Sequence, residues 1–190
     1  MTALVDTLAD LVGVWHDHLT AVDGAGRAVT FDPHGGIPGE FPYENLVYID
    51  FDGTRFTQTS VVVSGRAPAI RTFEASLEGD TLRFVPLGPG APDIVGISPV
   101  RGELWFVADS IVHDGITRYA EPDHIRVDGD RRWRDTVLWR YGDVVRVMHV
   151  SGHRLTRDTS RRAGMDPRGS VGSVHDDRSE VEMYRDGGGR

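Results

Sequence analysis

The chain has 190 residues, 39% hydrophobic and 26% charged, with 23 Gly, 10 Pro, no Cys and a net charge of -8. One domain of that length buries roughly 70% of its unfolded surface, enough for a substantial core. The acidic balance argues against a general nucleic-acid binder and an anionic membrane partner, and the missing cysteines exclude disulfides, thiolate catalysis and cysteine-ligated zinc.

In the first dozen residues Leu4, Leu8, Leu11 and Val12 recur at helical spacing, with Val5 beside them. They predict a short helix ended by Gly13. The stretch carries acids and lacks a basic start and a small-residue cleavage site, so it does not read as a signal peptide. No apolar run approaches the ~20 residues of a membrane span. A cytoplasmic protein is the expectation.

From Val14 the pattern changes to period two, broken by turn signals at a steady beat. The breaks are Asp23-Gly24, Pro33 to Gly39, Asp52-Gly53, Ser64-Gly65, Glu78-Gly79-Asp80 and Gly88 to Pro92. They continue at Arg101-Gly102, Asp114-Gly115, Asp128-Gly129-Asp130, Tyr141-Gly142-Asp143 and Ser151-Gly152. Between them the segments Val14 to Val22, Arg27 to Phe31, Leu46 to Phe51, Arg55 to Val63 and Ile70 to Leu77 have strand chemistry. So do Thr81 to Leu87, Glu103 to Asp109, Ile116 to Val127, Arg132 to Tyr141 and Val144 to Val150. A meander of about ten strands leaves two bare edges unless it closes, so the expectation is an all-β, antiparallel up-and-down barrel of about 8–10 strands behind a short N-terminal helix. Pro122, inside a strand pattern, predicts an edge or a bulge.

The polar stretch 154–178 reads as a long loop or a lid, and the Gly- and Pro-rich run Pro33 to Pro42 as a loop at the barrel mouth. Glu180 to Arg185 is a candidate last strand closing against the first, and 187–190 is tail. The whole of 1–186 is expected to form one domain.

Gly13-Val14-Trp15 stands just after the helix and opens the first strand. Arg132, Arg134, Arg140 and Arg146 punctuate two late strands, and Arg154 follows. Together these resemble the Gly-x-Trp signature of the lipocalin-like calycin barrels and the late-strand Arg that stacks over that Trp. The resemblance covers about residues 8 to 153, by pattern, and extends loosely to bacterial barrels related to phycobiliprotein lyases. It implies a closed barrel around a small, mainly apolar molecule. It also implies, because such barrels are recruited to these reactions, a cofactor-independent cyclase or isomerase of specialised metabolism; the alternative is a carrier or sequestering protein. The chain lacks the glycine-rich run of haem-binding nitrobindins and any cysteine for bilin handling.

The segment 132–141 puts Trp133, Asp135, Trp139 and Tyr141 on one face and Arg132, Arg134 and Arg140 on the other. The aromatic face is the expected lining. Asp135 would then be a carboxylate with a raised pKa, His149 on the adjoining strand a proton carrier, and Glu121 a further acid. Tyr119, Trp133, Trp139, Tyr48 and Arg118 are the expected ligand contacts. His16 and His18 share a face, but no third ligand is placed beside them, so no metal is expected, and no cofactor motif appears. The expected partner is a small hydrophobic molecule, with neither nucleic acid nor membrane; a homodimer is an open option.

Overall fold

A computed structural model describes residues 2–31, 40–63, 70–86, 93–108, 111–113, 116–120 and 122–160. Helix α1 (Ala3–Leu11) is followed by β1 (Gly13–Val22), β2 (Tyr43–Phe51), β3 (Arg55–Val62), β4 (Ile70–Glu78), β5 (Thr81–Phe84) and β6 (Ile94–Ile97). Then come β7 (Glu103–Ala108), β8 (Ile111–His113), β9 (Ile116–Ala120), β10 (Asp123–Asp128), β11 (Arg131–Arg140) and β12 (Asp143–Thr156). Ten of these close an antiparallel barrel. β1 through β7 are laced in sequence, β7 pairs β10, β10 pairs β11, β11 pairs β12, and β12 returns to β1. β8 and β9 form a separate hairpin laid against the end of β11 at Trp139 and Arg140.

The turns follow the residues that demanded them. Asp52 accepts the backbone N–H groups of Thr54 and Arg55, closing the β2–β3 hairpin, and these donors hold its carboxyl below the usual carboxylate range. The β11–β12 turn places Tyr141 at φ 53° and Gly142 at φ 90°, the double left-handed backbone of a two-residue hairpin that Gly adopts readily and Tyr does not.

Four expected boundaries are corrected. Arg27 to Phe31 makes isolated bridges, not a strand. β6 and β8 were not anticipated, because such short apolar runs are hard to tell from loop. Pro122, which has no N–H for a ladder, divides the expected strand 116–127 into β9 and β10. β12 continues through Thr156, so closure against β1 is made there and Arg154 begins no loop. The expected strand Glu180 to Arg185, the loop beyond residue 160 and residues 33–39 lie outside the described residues.

One end of the barrel is plugged. Thr2 caps α1 by accepting from Val5 N–H, and Leu4, Leu8 and Leu11 present one apolar stripe. That stripe packs on Trp15, Val47, Ile49, Phe56, Leu82 and Leu104 in the main core. The Thr7 hydroxyl accepts Gly102 N–H at 2.9 Å, and Arg101 donates to Asp10 at 2.8 Å, fastening the helix to the β6–β7 turn. No described helix is long and apolar enough to cross a membrane.

Candidate functional site

Strand parity decides what the interior holds. On β11, Arg132, Thr136 and Leu138 are buried at 5%, 1% and 2% exposure, whereas Trp133 and Trp139 stand at 37% and 36%. On β12, Arg146, Met148, Val150 and Arg154 are buried and His149 is exposed. The arginine face of these strands therefore turns inward, with Asp123, Ile125 and Val127 on β10.

At the plugged end the inward arginines serve the fold. Trp15 donates Nε1–H to Leu11 O at 2.8 Å, and the Arg154 guanidinium lies 4.4 Å over its ring. Arg154 also donates to the carbonyls of Val12, Asp10 and Gly129, tying the helix end and two turns to one side chain. Its burial lowers its pKa from the ordinary guanidinium value, as does nearby Arg157, with Asp130 and Asp10 opposing. Arg132 also covers Trp15, at 5.1 Å, and makes a two-pronged buried pair with Asp17. A Cβ on Gly152 would collide with Asp17 Oδ1, so glycine leaves room for that pair.

Further along the same strands the interior is mixed. Asp123, nearly buried, accepts from Arg134 and from the Thr136 hydroxyl. Arg146, 7% exposed, lies 5.7 Å over Phe41, whose ring meets Tyr43 at 5.3 Å. Phe41 packs with Leu19, Ala21, Met148 and Val150. Asn45, 8% exposed, shares the inward face of β2 with Val47 and Ile49, and its Oδ1 is buried with no hydrogen-bond partner among the described residues. A buried acceptor without a partner costs about 1–3 kcal/mol, which makes this oxygen a place where a water or ligand donor is favoured. This wall carries two guanidinium groups, one amide and an aromatic floor.

The expected site residues fall elsewhere. Asp135 and His149 do meet, with His149 Nδ1 2.7 Å from Asp135 Oδ1, but on the outer face, with side chains 42% and 51% exposed. Trp133 and Trp139 share that outer side, so the expected aromatic lining is corrected to an arginine lining. The physical reason is Trp15: once Arg132 turns inward to cover it, the two-residue period sends Arg134, Thr136 and Leu138 inward as well. That signal was present in the sequence, because the Arg-over-Trp contact and an inward Trp133 are incompatible on one strand. Tyr48 lies on the opposite face of β2 from Val47, packed with Val14 and Val61. Tyr119 stands opposite Arg140 in the β9–β11 ladder, with Arg118 next along β9; Glu121 lies outside the described residues. Sequence reasoning missed Asp123, Asn45 and Arg146 as inward residues.

His16 contacts Glu44 at 3.2 Å and meets the ring of His153 on β12 edge-on at 5.2 Å. Among the described residues no three metal-ligating side chains converge on one centre.

The sequence matches no protein-family model and no curated protein. Solved structures share the fold, among them the following two. A protein of unknown function from the DUF3598 family of Nostoc punctiforme superimposes with a TM-score of 0.55 at 16% identity, over 77% of this chain and 48% of that one. The chain thus spans about half the length of that protein. The S-type phycobiliprotein lyase CPES of Guillardia theta superimposes with a TM-score of 0.52 at 11% identity, over 77% of this chain and 89% of that one.

Proposed function

We propose that the chain binds a small, mainly apolar molecule carrying an anionic group inside its barrel, as a carrier or sequestering protein. The observation that carries this reading is the inward wall of β2, β10, β11 and β12. There Arg146 stands over Phe41 of the aromatic pair Phe41–Tyr43, Arg134 is held by Asp123, and Asn45 Oδ1, with no hydrogen-bond partner among the described residues, faces the same interior. Guanidinium groups favour carboxylates, the rings supply an apolar floor, and Asn45 accepts from a ligand donor. The shared fold with a phycobiliprotein lyase supports a barrel that handles small molecules.

A second reading, a cofactor-independent cyclase or isomerase, is favoured by one inward carboxylate. Asp123 is fixed by Arg134 and Thr136, so it is positioned as an acceptor beside whatever fills the interior.

Native mass spectrometry of freshly purified protein, before and after denaturation, tests the binding. The expected result is a retained anionic molecule, or saturable 1:1 uptake of anilinonaphthalene sulfonate that Arg146→Met weakens about tenfold, a 1.4 kcal/mol change. A clean mass together with no saturable uptake overturns the reading. Conversion of the bound molecule to an isomer of equal mass, abolished by Asp123→Asn, separates enzyme from carrier.

A further inference from the structure

The outer surface of the barrel carries a feature that the interior reading does not use. On β6, β7 and β11, Ile97, Trp105, Val107 and Trp133 stand outward at 44%, 39%, 51% and 37% exposure. The ladders make them neighbours. Ile97 pairs with Trp105, Trp105 with His124 and His124 with Asp135, while the next row runs Glu103, Arg126, Trp133. Exposed large apolar groups gathered on one sheet face mark an interaction surface, whereas single ones need no explanation.

Both tryptophans are held in place before any partner arrives. The Trp105 ring lies flat on His124, with centroids 3.9 Å apart and planes 13° apart, and His124 sits 3.5 Å from Glu103. The Arg126 guanidinium lies 6.0 Å over Trp133. Rings already fixed lose little freedom on binding, and buried Trp anchors supply much of the energy of an interface. Beside Trp133 the surface dips into a groove of about 330 Å³ between Gly102, Glu103, Arg126 and Asp128. A side chain from a partner fits such a recess.

The charges identify the partner. The chain as a whole is at -8, so two copies repel over most of their surfaces. On this face, however, Glu103, Asp128 and Asp135 alternate with Arg126 and Arg131. The face is close to neutral and carries both signs, so a second copy meets here a surface that does not repel it as the rest of the chain does, and an interface between identical patches can pair acids with arginines. A strongly basic partner would meet Arg126 and Arg131 as like charges, and an acidic one Glu103, Asp128 and Asp135. We infer that this outer face of β6, β7, β10 and β11 is where a second copy of the chain docks, sheet against sheet, with Trp105 and Trp133 as its anchors.

Sedimentation velocity of the full chain over about 1–100 µM measures the docking directly, since a homodimer forms by mass action. The expected mass at the upper end is twice 21.0 kDa. Because the contact is apolar at its centre and the chains are alike in charge, raising NaCl from ~50 to ~500 mM leaves the dimer intact or tightens it. Trp133→Glu and, separately, Arg126→Glu each weaken it at least about tenfold with the far-ultraviolet circular dichroism and melting unchanged, because both side chains face outward. Arg126→Glu guards against a folding failure of the Trp133 variant. A single-copy mass at the highest concentration overturns the inference, as does a dimer that neither substitution weakens.

Discussion

The two halves of the barrel interior are built from the same strands and filled with different chemistry. At the helical end, Leu4, Leu8, Leu11, Trp15, Ile49 and Phe56 make an almost wholly apolar plug, and the two arginines that enter it have their partners inside the fold. Along the rest of β2 and β10–β12, a carboxylate, guanidiniums, an amide acceptor and aromatic rings share one wall. Arginine is thus used twice, once to seal and once to line. What separates the roles is the company: Trp15, Asp17 and backbone carbonyls at the plug, Asp123 and the Phe41 ring along the wall.

The contrast breaks most clearly at the plug. Trp15→Ala removes the largest fully buried side chain and its contacts with two guanidiniums, and is expected to cost about 3–5 kcal/mol in urea unfolding. Arg132→Met leaves Asp17 buried without its partner, a loss of about 3–5 kcal/mol, and adding Asp17→Leu restores much of it, because the expense lies in the uncompensated charge. If the single and double variants unfold at the same urea concentration, the sealing role of Arg132 is wrong.

On the lining side the expected effect moves from stability to binding. Asn45→Leu removes an acceptor that no described residue satisfies. It is expected to hold or raise the unfolding midpoint while weakening uptake of the anionic probe, measured by fluorescence titration. A large loss of stability would show that Asn45 belongs to the plug instead.

Smaller effects sharpen the periphery. Tyr141→Asn relieves a left-handed tyrosine at an exposed turn, and a gain of up to about 1 kcal/mol in thermal unfolding is expected. The smallest effect concerns acid. The Arg101 hydrogen bond holds the Asp10 carboxyl below its usual pKa. A depressed folded-state pKa stabilises above the ordinary carboxylate value, and that stability is lost as pH falls through the folded value. Arg101→Gln should therefore raise the Asp10 titration seen by NMR and bring acid unfolding to slightly higher pH.

Much of the fold was legible because turn chemistry is local: Asp52-Gly53, Gly79-Asp80, Gly129-Asp130 and Tyr141-Gly142 each sit where a hairpin turns. The Trp15–Arg154 contact was legible by resemblance, with Arg154 itself among the arginines that followed the late strands. The candidate site was not, because it depends on which face of β11 turns inward, and parity from sequence has two solutions. Choosing aromatic residues as lining followed hydrophobicity. The structure follows Trp15, whose flat ring needs Arg132 and Arg154 on the inside. Asp135 and His149 do pair across the ladder, but on the outer face and not on the inner one.

The seam between β1 and β12 also governs how the chain reaches this state. Contacts across it, such as Arg154 to Val12, join residues 142 apart in sequence. During synthesis β1 can pair with β2 early, but its second edge has no partner until Thr156 has emerged. Folding of so non-local a closure is slow, and for that interval the nascent chain offers a bare strand edge beside Trp15. β12, the last of the described strands to be made, is thus the one that covers that edge.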